Sequence, residues 1–278
     1  MKCPWTQLLG ILPQSMRGDV DKLGKDSLQE LRLRLGKPGE MVMGSGCRYL
    51  QGNVTAEELH YVVNTASRYS PWAAATAAQG FITAAGGHRI GLCGQCTYQE
   101  GRVTGIRDVT SLCIRVARDF VGLATGIPLI GSVLVLGPPG SGKTTLLRDL
   151  IRRVANENNG SVAVVDERGE LFPKEAGFLQ GKRMDILTGC DKKSGIEMTL
   201  RTMGPSWIAV DEVTSRGDCE GLIQAGWCGV RLVASAHAAG KQDLLTRPVY
   251  RPLVESGLFD TLVILRPDKS WTYERMRL

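Results

Sequence analysis

Gly137-Pro-Pro-Gly-Ser-Gly-Lys-Thr144 fits the pattern G-x-x-x-x-G-K-[ST] at every fixed position. It follows the apolar residues 132–136 and precedes residues 146–154, whose apolar side chains recur at helical spacing. A strand before and a helix after are the context that this pattern requires, because the N–H groups of the loop and the helix N-terminus together face phosphate oxygens. We therefore predict a phosphate-binding loop, and not merely a tight turn.

Three side chains of this loop have expected tasks. The Lys143 ammonium would bridge the β- and γ-phosphates of a nucleotide, and the Thr144 hydroxyl would bind Mg²⁺. Thr145 would add a contact to the α-phosphate. The predicted nucleotide-binding residues are Gly137, Pro138, Pro139, Gly140, Ser141, Gly142, Lys143, Thr144 and Thr145.

A second motif, Trp207-Ile-Ala-Val-Asp211-Glu212, ends an apolar run with two carboxylates. Together with the phosphate loop, this pattern is typical of a Walker B strand. We expect Asp211 to hold Mg²⁺ through water, and Glu212 to orient and deprotonate the attacking water. The alternative is an ordinary solvated turn.

A third acidic strand end lies at Val164-Val-Asp-Glu-Arg-Gly-Glu170. Asp166 and Glu170 are further catalytic candidates. They would share the same crevice if their strand belongs to the same sheet, since ligands bind at the carboxyl ends of parallel strands. Residues 166–169 also fit the D-x-x-G of GTPases, but no N-K-x-D guanine motif follows. We therefore expect ATP and Mg²⁺ as cofactors, and a salt-bridged loop stays the alternative for this segment.

The pattern of apolar residues divides the chain into two parts. The chain has 278 residues, of which 43% are hydrophobic. In the first part, 31–35 and 41–43 have the pattern of a hairpin, and a capping box at Thr55–Glu58 begins a helix that Ser70-Pro71 ends. Shorter apolar stretches and Gly-rich turns follow. We predict a small α+β domain over 1–121 and a linker over 122–131.

From Ser132 onward, continuous apolar strands alternate with helical stretches, as a parallel sheet covered on both faces requires. We predict an α/β domain over 132–278. Its expected strands are 132–136, 162–165, 207–210, 232–235 and 261–265.

These motifs, in this order, resemble those of the type II and type IV secretion and pilus-retraction ATPases. Within that superfamily the chain is most similar to the stage III sporulation protein AA family. The secretion ATPases carry a Walker A loop, an Asp box, a Walker B strand and a His box, which correspond here to 137–145, 166–170, 207–212 and 234–237. The resemblance implies a P-loop, RecA-like parallel-sheet ATPase domain preceded by a smaller α+β domain.

The same resemblance assigns residues that the phosphate loop alone does not. It places His237, in Val233-Ala-Ser-Ala-His237, beside the γ-phosphate, where the ring would sense the phosphate or position the water. Without the resemblance, a histidine on an apolar strand is more often a core residue.

The N-terminal half carries the resemblance too, for example in 80–83, 86–92 and 111–118. Secretion ATPases form hexamers in which arginines of this domain reach a nucleotide. Candidates here are Arg89, Arg107, Arg115 and Arg118. We favour Arg89 and Arg115, because a planar, permanently charged fork suits γ-phosphate oxygens. A solvated strand face is the alternative for each arginine.

The resulting functional hypothesis is a hexameric ATPase motor that energises assembly of, or transport through, a membrane channel complex. For the sporulation family this would be the channel between mother cell and forespore. With no spanning segment in the sequence, we expect a cytoplasmic chain at the inner face of the membrane, acting on a membrane-embedded channel or secretion protein.

Two other functions stay open. A nucleic-acid-dependent RecA-like ATPase of the helicase or DNA-transfer kind would suit the pI near 8.9 and the five tryptophans, but no basic run supports it, so nucleic acid is disfavoured as a partner. A nucleotide-loaded structural ring with negligible turnover is the other alternative. The pair Cys93 and Cys96 has metal-ligand spacing but no second pair, so we expect buried free thiols.

Overall fold

The computed structural model describes residues 1–67, 77–78, 80–157 and 160–276. The chain forms two compact units. The first contains Met1–Asp119 with the short segment Pro173–Gly177, and the second contains Phe120–Phe172 and Phe178–Leu278. Among the described helices, none has the length and apolar character needed to span a bilayer.

The first unit is an antiparallel sheet with helices. Its described helices are α1 (Trp5–Ile11), α2 (Gln14–Leu23) and α3 (Ala56–Ser67). Its strands are β1 (Leu28–Arg34), β2 (Pro38–Met43), β3 (Gly46–Asn53), β4 (Phe81–Thr83), β5 (Arg89–Gln99) and β6 (Arg102–Arg115). Short 3-10 turns cover Ala85–Gly87 and Lys174–Ala176. The strand order is β3-β2-β1-β6-β5-β4.

Two local predictions for the first unit, a hairpin and a capping box, are confirmed. The predicted hairpin is β1 with β2, in which Leu31 pairs with Met41. The predicted capping box is present, since the Glu58 N–H donates to Thr55 Oγ1 at 3.2 Å and the Thr55 N–H donates to the Glu58 carboxylate at 3.0 Å. The expected helix end at Ser70-Pro71 lies outside the described residues.

The second unit is a seven-stranded sheet with helices. Its strands are β7 (Val133–Leu136), β8 (Val162–Asp166), β9 (Met184–Thr188), β10 (Trp207–Val213), β11 (Arg231–Ala236), β12 (Thr261–Leu265) and β13 (Trp271–Arg275). Its described helices are α4 (Lys143–Glu157), α5 (Lys192–Met203), α6 (Arg216–Trp227), α7 (Lys241–Thr246) and α8 (Arg251–Glu255).

The strand order β13-β12-β7-β11-β10-β8-β9 positions the three acidic and Gly-rich motifs. All neighbours pair in parallel except β12 with β13. The carboxyl ends of β7, β11, β10 and β8 therefore lie side by side at one edge of the sheet. Ligands of open α/β sheets bind at this edge.

All five predicted strands of this sheet are present, whereas β9 and β13 were not predicted. Both are edge strands, and their sequences, MDILT and WTYER, mix polar and apolar residues. A strand with one free edge and an exposed face does not need the continuous apolar run that marks a central parallel strand.

The expectation of buried thiols at Cys93 and Cys96 is wrong. Both side chains are exposed free cysteines on β5. β1 pairs with β6 only over Ser111–Arg115, and β4 pairs with β5 only over Arg89–Gly91. The part of β5 that carries the cysteines therefore has β6 as its paired neighbour, and the core of the unit does not cover it.

Candidate nucleotide site

The phosphate loop connects the end of β7 to the beginning of α4. Gly140 and Gly142 have φ angles of 76° and 95°, in the left-handed region that favours glycine. At Gly137, an added Cβ atom would approach the Ser141 hydroxyl oxygen to 2.7 Å. That hydroxyl donates to the Pro138 carbonyl at 2.8 Å. The glycines thus permit the tight curl that turns backbone N–H groups toward a phosphate.

The phosphate loop and the Walker B strand meet at Thr144 and Asp211. The Thr144 hydroxyl donates to Asp211 Oδ2 at 3.0 Å. A hydroxyl and a carboxylate are hard oxygen ligands, which Mg²⁺ prefers beside the phosphates of a nucleotide. The two residues predicted to bind the metal therefore lie next to each other, and their donor chemistry fits Mg²⁺.

His237 lies between Lys143 and Glu212, two of the other predicted catalytic residues. Its Nδ1 atom is 3.0 Å from the Lys143 ammonium, and its Nε2 atom contacts the Glu212 carboxylate. An ammonium group only donates, so Nδ1 must accept and the ring proton must sit on Nε2, facing Glu212. Lys143, His237 and Glu212 thus form a continuous hydrogen-bonded chain.

Two side chains of this hydrogen-bonded chain, Lys143 and Glu212, have lowered pKa values. Burial lowers the pKa of Lys143, although the carboxylates of Glu212 and Asp211 act in the opposite direction. For Glu212, burial alone would raise the pKa, but the hydrogen bond from His237 and the charges around it outweigh burial and lower it. One of those charges is Arg168, whose guanidinium lies 3.6 Å from the Glu212 carboxylate. Glu212 is therefore ionised at neutral pH, as a base must be.

The carboxylate of Asp166 is buried at the end of β8. Its two oxygens accept N–H groups from Glu170, Leu171 and Phe172 at 2.8, 2.9 and 3.0 Å. Burial raises the pKa of Asp166 to about 6, against the effect of these N–H donors. Asp166 therefore shapes the loop that leads to Glu170, and the catalytic roles expected for both residues stay predictions.

A buried lysine connects the Asp-box loop to the segment after Walker B. Lys192, the first residue of α5, lies 2.5 Å from the Glu167 carboxylate and 3.9 Å from that of Asp218. Asp218 in turn accepts the Thr214 and Ser215 N–H groups at 2.8 and 3.1 Å. The loops after β8 and β10 are thereby linked through one side chain.

The four candidate arginines of the first unit have contacts within that unit. The Arg89 guanidinium stacks on the Phe81 ring at 4.0 Å, and Arg115 lies 3.6 Å from the Glu30 carboxylate. Arg107 donates to the Gln95 side chain at 3.1 Å, and Arg118 donates to the Lys25 carbonyl at 2.7 Å. A catalytic role for Arg89 and Arg115 stays a prediction.

Three residues at this sheet edge were not predicted as site residues: Ser235, Arg168 and Lys192. The sequence did hint at Ser235. It carries the one hydroxyl in the otherwise apolar run 232–236, two residues before His237. Arg168 lies inside the quoted Asp-box segment. Lys192 had no signal, because a lysine at a helix N-terminus is ordinarily solvated and its burial depends on tertiary packing.

The model of one protein family covers almost the whole chain. The family described as sporulation stage III, protein AA, matches residues 6–273. The chain belongs to this family. Within the family, stage III sporulation protein AA of Bacillus subtilis (strain 168) is 34% identical in an alignment 273 residues long, which covers 91% of this chain and 88% of that relative. The sporulation family predicted from the motifs is confirmed.

Two solved structures share the fold of this family member. The Yersinia pseudotuberculosis ATPase DotB matches with a TM-score of 0.62 at 15% identity, over 95% of this chain and 79% of DotB. The pilus retraction motor PilT with bound ADP matches with a TM-score of 0.62 at 15% identity, over 91% of this chain and 77% of PilT. The predicted P-loop, RecA-like fold with a smaller α+β domain before it is confirmed.

Proposed function

We propose that this protein hydrolyses ATP with Mg²⁺ at the carboxyl edge of the second unit's sheet. One observation carries the proposal: the phosphate-loop residues Lys143 and Thr144 contact His237 and Asp211, and His237 contacts Glu212. A nucleotide-binding loop, a metal-binding carboxylate and a candidate base are thus neighbours. Each residue type is the one that phosphoryl transfer to water requires.

The residues would act in the following way. Lys143 would leave His237 and bind the phosphates, while Thr144 and Asp211 would hold Mg²⁺, which when bound neutralises phosphate charge. Glu212 would orient a water molecule and accept its proton, for which its lowered pKa keeps it ionised. His237 would keep Glu212 in place through the Nε2 proton.

The motor function is part of the same proposal. We infer a hexameric ring in which Arg89 or Arg115 of one chain reaches the nucleotide of a neighbouring chain and stabilises the developing charge. The expected mechanical partner is a membrane-embedded channel or secretion protein, and the family's name relates that partner to sporulation. Such a protein would work at the cytoplasmic face of the membrane.

The test is the rate of Mg-ATP turnover per chain, measured against protein concentration with and without single-stranded DNA. A rate that rises with concentration and ignores DNA supports a site completed between chains. A rate independent of concentration but raised by DNA favours the nucleic-acid-dependent alternative. Lys143→Ala is the matched control, since any turnover that survives it comes from a contaminant. Mg-dependent nucleotide binding without any turnover would favour the structural ring.

A further inference from the structure

The hydroxyl of Ser235 contacts both acidic residues of the Walker B motif. It donates to Asp211 Oδ1 at 2.6 Å and accepts the Glu212 N–H at 2.9 Å. Ser235 is completely buried on β11, between the strand that leads to the phosphate loop and the Walker B strand. A single side chain therefore joins the metal-binding carboxylate to the backbone of the candidate base.

The Walker B strand needs such support at this point. The pairing of β10 with β11 is interrupted between Val210 and Val213, so the regular ladder does not hold the two residues between them. Glu212 has a φ of 45°, in the left-handed region, which is strained for a residue with a side chain. The Ser235 hydroxyl occupies the place of the missing ladder contact and accepts the N–H of the strained residue.

We propose that Ser235 is a positioning residue for the Walker B pair. Its bond to Oδ1 leaves Oδ2 of Asp211 as the acceptor of the Thr144 hydroxyl, which keeps the two residues that would hold Mg²⁺ side by side. Its bond to the Glu212 N–H fixes the bulge from which the Glu212 carboxylate reaches His237. This inference rests on the proposed ATPase function for its consequence, but the bonds themselves can be tested without nucleotide.

The second unit supplies a matched control for a buried serine. Ser132 lies at the opposite, amino end of the same sheet, and its hydroxyl accepts the Leu232 N–H at 3.0 Å. Ser132 is also buried, with 6% of its surface exposed. Ser132→Ala and Ser235→Ala therefore each remove one buried hydroxyl that accepts a strand N–H, but only Ser235→Ala affects the acidic pair.

The first readout is amide hydrogen exchange of the segment 207–215 in the nucleotide-free full-length protein. Ser235→Ala should raise exchange at Glu212 by about tenfold, because the N–H loses its acceptor. Ser132→Ala should leave this segment unchanged. Unchanged exchange in Ser235→Ala, with the melting temperature of the wild type, would overturn the inference whether or not the protein hydrolyses ATP.

The second readout is the Mg²⁺ dependence of binding of a fluorescent ADP. Partners that orient a metal ligand typically contribute 10–100-fold in affinity, so Ser235→Ala should require about tenfold more Mg²⁺ for the same binding. Binding in EDTA should stay within about twofold of the wild type, because the phosphate loop is intact. Ser235→Thr keeps the hydroxyl and should restore the Mg²⁺ midpoint. If it does not, although both variants melt like the wild type, the hydroxyl has no positioning role.

Turnover separates this inference from the proposed function. A wild type that shows the exchange and Mg²⁺ effects but no ATP hydrolysis would reject the ATPase proposal and keep Ser235 as a positioning residue. A wild type that hydrolyses ATP, with Ser235→Ala as active as Ser132→Ala, would keep the ATPase proposal and reject the role of Ser235.

Discussion

The Lys143 ammonium and the Nδ1 atom of His237 lie 3.0 Å apart, and the same imidazole contacts Glu212 through Nε2. The lysine expected to bind phosphate and the glutamate expected to activate water are therefore connected through one ring. The same ammonium also donates to the Pro138 carbonyl at 3.0 Å, so the phosphates of a nucleotide would compete with His237 and Pro138 for its three N–H donors. We therefore expect nucleotide binding to weaken the contact between Lys143 and His237.

The first prediction concerns His237→Ala. Turnover should fall by about 10²-fold, because Glu212 loses the group that orients it. Affinity for ADP should not fall, because Lys143 no longer has to leave a competing acceptor. Equilibrium binding of a fluorescent ADP and steady-state turnover measure the two effects. His60→Ala, which alters an exposed histidine of α3, is the control. A parallel loss of affinity and turnover would mean that His237 itself holds the nucleotide.

The second prediction concerns Glu212→Gln, which keeps the size of the side chain and removes its basicity. Turnover should fall by roughly 10²–10⁴-fold, the usual contribution of a general base, while ATP binding is retained. Glu220→Gln, at an exposed position of α6, should be as active as the wild type. If Glu212→Gln is nearly as active as the wild type, another residue is the base. If the protein's function in cells survives this substitution, the motor hypothesis is rejected.

The sequence was most informative where short-range rules apply. The phosphate loop between a strand and a helix, the five central strands and the Thr55–Glu58 capping box all follow from local patterns, and all are present. The phosphate-loop and Walker B patterns assigned Thr144 and Asp211 to one Mg²⁺, and the resemblance to the secretion ATPases placed His237 beside the γ-phosphate. Their atomic contacts depend on the strand order β7-β11-β10-β8, which local patterns do not specify.

The missed features all depend on tertiary contacts. Ser235 matters because of a bulge in the neighbouring strand, and Lys192 matters because two loops from different strands pack around it. Cys93 and Cys96 are exposed because β5 and β6 extend beyond the neighbouring strands β4 and β1. Residue types alone carry none of this information.

The third prediction uses two adjacent lysines of α5. Lys192 is buried between Glu167 and Asp218, whereas Lys193 forms an exposed pair with Glu220 at 3.0 Å. Lys192→Met should destabilise the protein by about 2–3 kcal/mol, because it leaves partly buried carboxylates without their cation. Lys193→Met should not change stability measurably, because exposed ion pairs contribute little. Urea denaturation of both variants tests this. Equal stability of the two would show that Lys192 does not link the loops.

The fourth prediction concerns His88, which is completely buried in the first unit. Its Nε2–H donates to the Pro4 carbonyl at 2.9 Å, so Nδ1 is the acceptor of the Ala117 N–H at 3.1 Å. Protonation of Nδ1 would break the second bond. Burial accordingly lowers the pKa of His88 to about 4, despite the opposing effect of the Pro4 carbonyl.

The sign of the pH effect follows from the lowered pKa. Between about pH 6.5 and pH 4 the unfolded chain binds the proton and the folded chain does not, so stability falls as the pH falls. The full loss is about 3 kcal/mol. The measurement is urea denaturation at pH 7 and at pH 4.5, monitored with a spectroscopic probe in the first unit. Between these pH values, the free energy of unfolding should fall less for His88→Gln than for the wild type. Identical pH dependence of the two would contradict the assignment.

The fifth prediction tests the arginine that is expected to act between chains. Arg115→Ala and Glu212→Gln should each be nearly inactive alone, but a mixture should recover turnover, because Arg115 of one chain then serves the intact Glu212 of its neighbour. Each contact between neighbouring chains in the ring would form one active site. In a random equal mixture, about one quarter of these contacts join an intact Glu212 to an intact Arg115, so about one quarter of the wild-type rate should return. The same mixing test applies to Arg89→Ala. Arg107 donates to the Gln95 side chain, and Arg107→Ala should stay active. If no mixture recovers activity, neither arginine acts between chains.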